Sequence, residues 1–165
     1  MARRRKGKPK KPRPRVRPRT SAPAPPARPP AAERALLALA RELTALGRAE
    51  TTPRAAVTAA LDALAAAFQG GAALPVALAT ARIAARRDKR RALALAWARE
   101  QLRLGLGEIL VRADAAGDLR LSLGAEPLAW FVLAACESLA DEPPQAAPDR
   151  IRLLAEWLTG ARGDG

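Results

Sequence analysis

Residues 90–140 constrain the fold most, because they predict a helical hairpin with more apolar surface than one partner layer covers. Over residues 90–116, two apolar stripes recur at helical spacing on nearly opposite sides of one helix. The first stripe comprises Leu95, Ala98, Leu102, Gly105, Leu106, Ile109 and Ala113, and the second comprises Leu93, Trp97, Leu104 and Val111. Gly117 predicts the C-terminus of this helix, and Pro127 suits the first turn of the next one. A helix with two apolar faces needs two partner layers.

The segments on either side of the hairpin also read as helices. Residues 33–47 form an amphipathic pattern, and Thr52 precedes Pro53 as an N-cap before a second helix that ends at Gly70. A third helix contains Val76 and Ile83, and the last helix begins at Asp149. In that last helix, the apolar spacing predicts that four residues face the core: Ile151, Leu154, Trp157 and Leu158. The sequence therefore predicts an all-α fold, a helical bundle of about five or six helices over residues 33–165.

The positive charge of the chain is concentrated at its N-terminus. Twelve of the 29 lysines and arginines lie within residues 1–32, which contain nine prolines and no acidic residue. The rest of the chain is nearly neutral, with 17 basic against 16 acidic residues. Repeated proline and like charge exclude a packed core, so residues 1–32 are predicted to be a disordered basic arm.

Such an arm binds a polyanion by releasing its counterions. The predicted nucleic-acid contacts are Arg3, Arg4, Arg5, Lys6, Lys8, Lys10, Lys11, Arg13, Arg15, Arg17 and Arg19. The alternative is a solubilising tail without a specific partner. A second basic cluster contains Arg82, Arg86, Arg87, Lys89, Arg90 and Arg91. It is interpreted as a solvated helix end, with a second anion contact as the alternative.

The residues needed for most enzyme chemistry are missing. The chain has no histidine and one cysteine, Cys136, so neither an imidazole base nor a usual zinc site is available. We predict no enzymatic activity, no metal and no cofactor. Cys136 is interpreted as a small buried hydrophobe, with a redox sensor as the alternative. A single cysteine and the absence of an apolar run of about 18 residues predict a cytoplasmic protein without membrane contact.

A family resemblance rests on runs within the hairpin and on the closing segment Asp149–Gly160. The runs in the hairpin are Arg99 through Gly117-Asp118-Leu119-Arg120, Glu126-Pro127-Leu128-Ala129 and Glu137-Ser138-Leu139. Together they resemble the C-terminal ligand-binding and dimerisation domain of TetR-type transcriptional regulators. The resemblance implies a homodimer whose interface would contain Leu95, Leu102, Leu106, Ile109, Leu128, Phe131, Val132, Ala135 and Leu139. It also implies a pocket for an apolar ligand, lined by Leu61, Phe68, Ile83 and Trp97; plain core packing of these residues is the alternative.

The resemblance weakens toward the N-terminus. Residues 33–47 resemble the first helix of the TetR DNA-binding head, and Thr51-Thr52 follow where that family often has a similar pair. No helix-turn-helix follows, and the chain contains no tyrosine, so residues 33–47 are interpreted as the first core helix. The functional hypothesis is a transcriptional-regulator-like dimer that contacts DNA weakly and non-specifically through the arm. The alternative is a helical protein–protein interaction module with a basic tail and no regulatory role on DNA.

Overall fold

The computed structural model describes residues 30–49, 52–120 and 123–160, and it confirms the all-α prediction. These residues contain no strand. They form six α-helices: α1 (Ala31–Arg48), α2 (Pro53–Phe68), α3 (Ala73–Ala85), α4 (Lys89–Ala115), α5 (Ala125–Glu137) and α6 (Ala147–Thr159). Two short 3₁₀ turns connect α5 to α6. The predicted arm lies outside the described residues except for residues 30–32, of which Ala31 and Ala32 already belong to α1.

Local sequence signals set several helix ends. The Thr52 hydroxyl accepts a hydrogen bond from the Ala55 N–H at 3.3 Å, and Pro53 occupies the first helical position of α2. At the end of α4, Gly117 has a φ of +74°, which glycine adopts without steric cost. The Gly117 and Asp118 N–H groups donate to earlier carbonyls of α4 at 2.9 Å each, which completes the C-cap that Gly117 predicts.

The helices α1 and α4 form the longest contact in the fold, and they run parallel. Leu36 near the start of α1 lines the same surface depression as Leu95, whereas Gly47 near its end lies against Ile109. In the middle, a Cβ atom on Gly105 would stand 3.2 Å from the carbonyl oxygen of Ala40. Because Gly105 has no side chain, the two backbones come close together, and α1 covers the first stripe of α4.

Two further layers complete the core. Helix α2 packs against α1, α4, α5 and α6, and α5 packs along α4. The largest fully buried side chains are Leu36, Leu43, Leu61, Leu64, Phe68, Leu102, Leu106, Ile109, Leu110, Leu128, Leu133 and Leu158. Because leucine supplies most of this volume, the core is built from aliphatic contacts with Phe68 as its one large ring.

Some apolar residues lie outside the core. In α3 the core contacts come from Leu74 and Leu78, while Val76 and Ile83 are exposed. Trp157 is predicted to face inward with the other apolar residues of α6, but 42% of this residue is exposed, which corrects that prediction. Among the described helices, none is by itself long and apolar enough to span a membrane; α2 and α3 meet such a criterion only as a pair bent by 65°.

Candidate interaction surfaces

The residues predicted for the dimer interface lie mostly inside the chain, which corrects that prediction. Six of these residues are buried within the monomer and are therefore absent from its surface: Leu102, Leu106, Ile109, Leu128, Val132 and Leu139. Leu95 and Ala135 are half-buried, and Phe131 is 46% exposed. The physical reason is that α1 lies along α4 and covers its stripe, while α4 and α2 cover the residues of α5 and of the turn after it; these helices take the place that the prediction gave to a second subunit.

The second stripe of α4 is the face that remains uncovered. The exposed fractions are 61% for Leu93, 58% for Trp97, 46% for Leu104 and 56% for Val111. Trp97, Leu104 and Val111 follow one another at intervals of seven, so they occupy one position of a heptad repeat. Four large apolar side chains on one helix face exceed the scattered exposure that is normal for a single folded chain. We name this face the α4 stripe.

A groove accompanies the α4 stripe. Leu104 and Val111 line it together with Gly107, and the start of α5 and the end of α1 close its sides; its volume is about 710 Å³. Because Gly107 has no side chain, the stripe is indented between these two residues. An apolar side chain from another helix fits into this indentation.

A second apolar surface lies between α5 and α6. The rings of Phe131 and Trp157 are 5.2 Å apart between centroids and tilted by 44°, a geometry in which aromatic rings attract each other. Beside them, a groove of about 530 Å³ extends along Leu153. Trp130, which directly precedes Phe131 in α5, is 57% exposed.

The candidate ligand pocket is not assembled from the residues predicted for it. Leu61 and Phe68 are buried in the core face of α2, whereas Ile83 and Trp97 are exposed by 67% and 58%. Two of these side chains thus face the interior and two face solvent, so the four do not enclose one cavity. For Leu61 and Phe68 the alternative, core packing, describes the structure.

One carboxylate joins three helices. Glu137, at the end of α5, accepts a hydrogen bond from Arg99 Nε of α4 at 2.6 Å, and it lies 3.5 Å from Arg82 of α3. Its side chain is 18% exposed, so solvent screens these pairs less than it screens a fully exposed pair. The sequence offered no signal for this cluster, since its members are separated by 38 and 55 residues.

A further ion pair borders the α4 stripe. Arg103 donates two hydrogen bonds to the carboxylate of Glu100, at 2.9 and 2.6 Å. These hydrogen bonds lower the pKa of Glu100 and raise the pKa of Arg103. Both side chains are therefore charged at neutral pH and give the apolar stripe a polar edge.

The second basic cluster lies at the corner between α3 and α4. The carboxylate of Asp88 accepts hydrogen bonds from the Arg90 and Arg91 N–H groups at 2.9 and 3.2 Å, which caps α4. It also pairs with the Arg91 side chain at 3.4 Å. We name the exposed remainder the basic corner: Arg86, Arg87, Lys89 and Arg90. The predicted contacts of the arm, Arg3 to Arg19, lie outside the described residues.

Cys136 lies in the core, as its interpretation as a buried hydrophobe predicts. It is fully buried, and this burial raises the pKa of its thiol to about 12, with a smaller contribution from the charge of Glu137. A thiol of this kind is neutral and unreactive at neutral pH. Within the described segments, no group of three or more histidine, cysteine or acidic side chains is arranged to hold a metal ion.

Comparisons with known proteins leave these surfaces to be interpreted on their own geometry. No family model matches the chain, and neither a curated protein nor a solved structure matches it.

Proposed function

We propose that this protein is a dimerising helical core, similar to the C-terminal domain of TetR-type regulators, that associates with nucleic acid through its basic N-terminal arm. The α4 stripe carries the proposal. The proposed dimer surface is this exposed stripe and not the buried stripe of α4. Helix α4 is therefore still the element through which two copies pair. In this proposal the molecule acts as a transcriptional-regulator-like protein whose DNA contact is weak and independent of sequence.

The geometry of the α4 stripe favours a second copy as its partner. A helix of 27 residues is about 40 Å long, which accommodates the two seven-residue steps from Trp97 to Val111 and leaves room at both ends. Two copies of this helix present the same seam to each other, which is how a two-fold interface forms. The groove at Gly107 offers space for an apolar side chain of the opposite copy.

Light scattering coupled to size exclusion tests the dimer. We expect wild-type protein to elute as a dimer, and Trp97→Glu and Leu104→Glu to shift it to a monomer, because each places a charge in the apolar seam. The control is Val76→Glu, since Val76 is 69% exposed on α3 and lies outside the stripe. A wild-type monomer at all concentrations contradicts the proposal. So does a dimer that Trp97→Glu and Leu104→Glu leave intact.

The proposed role of the arm rests on charge. Eleven basic residues fall within the first nineteen, and the affinity of such a segment for duplex DNA falls steeply with salt. We expect duplex DNA of unrelated sequences to be retarded equally, with strong loss between 50 and 200 mM salt. Deleting residues 2–19 is expected to remove most of this binding. Affinity unchanged by that deletion contradicts the role of the arm.

The groove between α5 and α6 favours the second candidate function, a module that binds a different protein. Its aromatic pair, Phe131 and Trp157, presents the side-chain type that dominates protein interfaces. The same light-scattering experiment separates the two functions, because a monomer with free aromatic surface is expected for the interaction module. A dimer dissociated by Leu104→Glu is expected for the first proposal.

A further inference from the structure

The basic corner lies on a hydrogen-bonded turn between α3 and α4. In the turn, the Arg87 and Asp88 N–H groups donate to the carbonyls of Ala84 and Ala85 at 3.2 and 3.4 Å. The charge of Asp88 is occupied by the cap of α4 and by Arg91. Within the described part of the chain, none of the four corner residues forms an ion pair.

The arm leaves the folded core beside this corner. Pro30 and Ala31, at the start of α1, line the same depression as Ala84 and Arg91, which flank the corner on α3 and α4. Because α1 and α4 run parallel, their N-termini lie at one end of the bundle. An extended chain spans at most about 3.6 Å per residue, so Arg19 lies within about 40 Å of Pro30. That distance corresponds to about 12 base pairs of duplex.

We propose that the basic corner is a second nucleic-acid contact, formed by Arg86, Arg87, Lys89 and Arg90, which binds the phosphate backbone of the duplex that the arm also binds. The inference rests on the proposed function and adds to it a contact within the folded core. The arm is attached to α1 at the end of the bundle where the corner lies. Two of them on one dimer raise the avidity for a single duplex.

The chemistry favours a duplex over a membrane surface. Three of the four corner residues are arginine, whose planar guanidinium binds phosphate oxygens in a bidentate manner. Segments that bind membranes combine basic residues with tryptophan, phenylalanine or leucine that enter the bilayer. Residues 84–92 contain no large apolar side chain, and the arm contains none apart from Met1 and Val16.

Three matched variants of the full chain test the inference. The corner variant carries Arg86→Gln, Arg87→Gln and Arg90→Gln; the arm variant carries Arg13→Gln, Arg15→Gln and Arg17→Gln. The control variant carries Arg41→Gln, Arg54→Gln and Arg120→Gln, which are exposed arginines in α1, at the start of α2 and after the end of α4. Each variant loses three charges, so differences between them report position and not net charge.

The measurement is the affinity for a duplex of arbitrary sequence over a salt series. Each lost phosphate contact lowers the slope of log affinity against log salt by about 0.9, so the corner and arm variants are each expected to lower it by about 2 to 3. The control variant is expected to keep the wild-type slope. Replacing the corner arginines by lysine is expected to keep most of the slope, and circular dichroism verifies that every variant is folded.

The outcomes separate the inference from the proposed function. If the arm variant loses slope and the corner variant matches the control, the corner is not a contact, although the role of the arm stands. If wild-type protein does not retard duplex DNA at 50 mM salt, both fail. If the corner variant loses binding only to vesicles of phosphatidylserine and phosphatidylcholine, the corner binds a membrane and the inference is overturned.

Discussion

Gly105 of α4 lies against the carbonyl oxygen of Ala40 on α1, so closely that a Cβ atom at position 105 would stand 3.2 Å from that oxygen. The Thr44 hydroxyl donates a hydrogen bond to the same oxygen at 2.9 Å, which helps to hold the oxygen in place. This contact sets the distance between the two longest helices. It lies within the stripe of α4 that α1 buries.

A matched pair of glycine substitutions tests the contact. Gly107→Ala is expected to raise the free energy of unfolding by about 0.5–1 kcal/mol, because alanine favours helix and the added Cβ makes an ordinary contact with Ala129 at 3.9 Å. Gly105→Ala is expected to lose that gain, since its Cβ crowds the fixed Ala40 oxygen. Urea unfolding in the Leu104→Glu background measures both substitutions, because no second copy then occupies the groove that Gly107 lines. An equal gain at the two positions would show that the helices are not held at this distance.

The ends of the helices were predictable from sequence because their signals are local. Thr52 with Pro53 and Gly117 with its positive φ act through their own backbone neighbours, and both predictions are confirmed. The two stripes of α4 were predictable for the same reason, since helical spacing defines faces. The partner of each face was not. Leu102 and Leu104 are the same residue type two positions apart, yet one is fully buried and the other is 46% exposed.

The choice between the two stripes depends on the packing of α1, which periodicity does not encode. The predicted interface followed the stripe with more leucine and isoleucine, which is also the stripe that a single chain buries first. The residues of Glu137's ion cluster come together for a similar reason. Their contact follows from the way three helices pack, and no spacing along the chain indicates it.

The ion cluster itself gives the second prediction. Glu137→Gln is expected to lower the free energy of unfolding by about 1–2 kcal/mol, because hydrogen bonds to charged groups contribute more than neutral ones and Arg99 loses its charged partner at 2.6 Å. The partial exposure of both side chains keeps the expected value below that of a fully buried pair.

The control for this cluster is an exposed ion pair of α6. Arg152 lies 3.4 Å from Asp149, and the two side chains are 68% and 72% exposed. Arg152→Gln is therefore expected to change the stability by less than about 0.5 kcal/mol. Thermal and urea unfolding compare the two variants. If Glu137→Gln costs no more than Arg152→Gln, the three-helix cluster does not hold α3, α4 and α5 together.

The burial of Cys136 gives the third prediction, which concerns alkaline pH. Its thiol has a pKa of about 12 in the fold against an ordinary value of 9.0. The folded protein keeps this proton where the unfolded chain has lost it, so the contribution is fully present below about pH 9 and is lost as pH rises toward 12. Above pH 9 this group alone lowers the free energy of unfolding by about 1.4 kcal/mol per pH unit.

Cys136→Ala removes this pH-dependent contribution of the thiol. Urea unfolding of both proteins between pH 7.5 and 10.5 is expected to give curves that run parallel below pH 9 and converge or cross above it. The chain has neither histidine nor tyrosine, and the lysines and the N-terminal amine, which titrate in this interval, are common to both proteins and cancel in the difference. Parallel curves over the whole range would mean that Cys136 is open to solvent, and with it the interior face of α5.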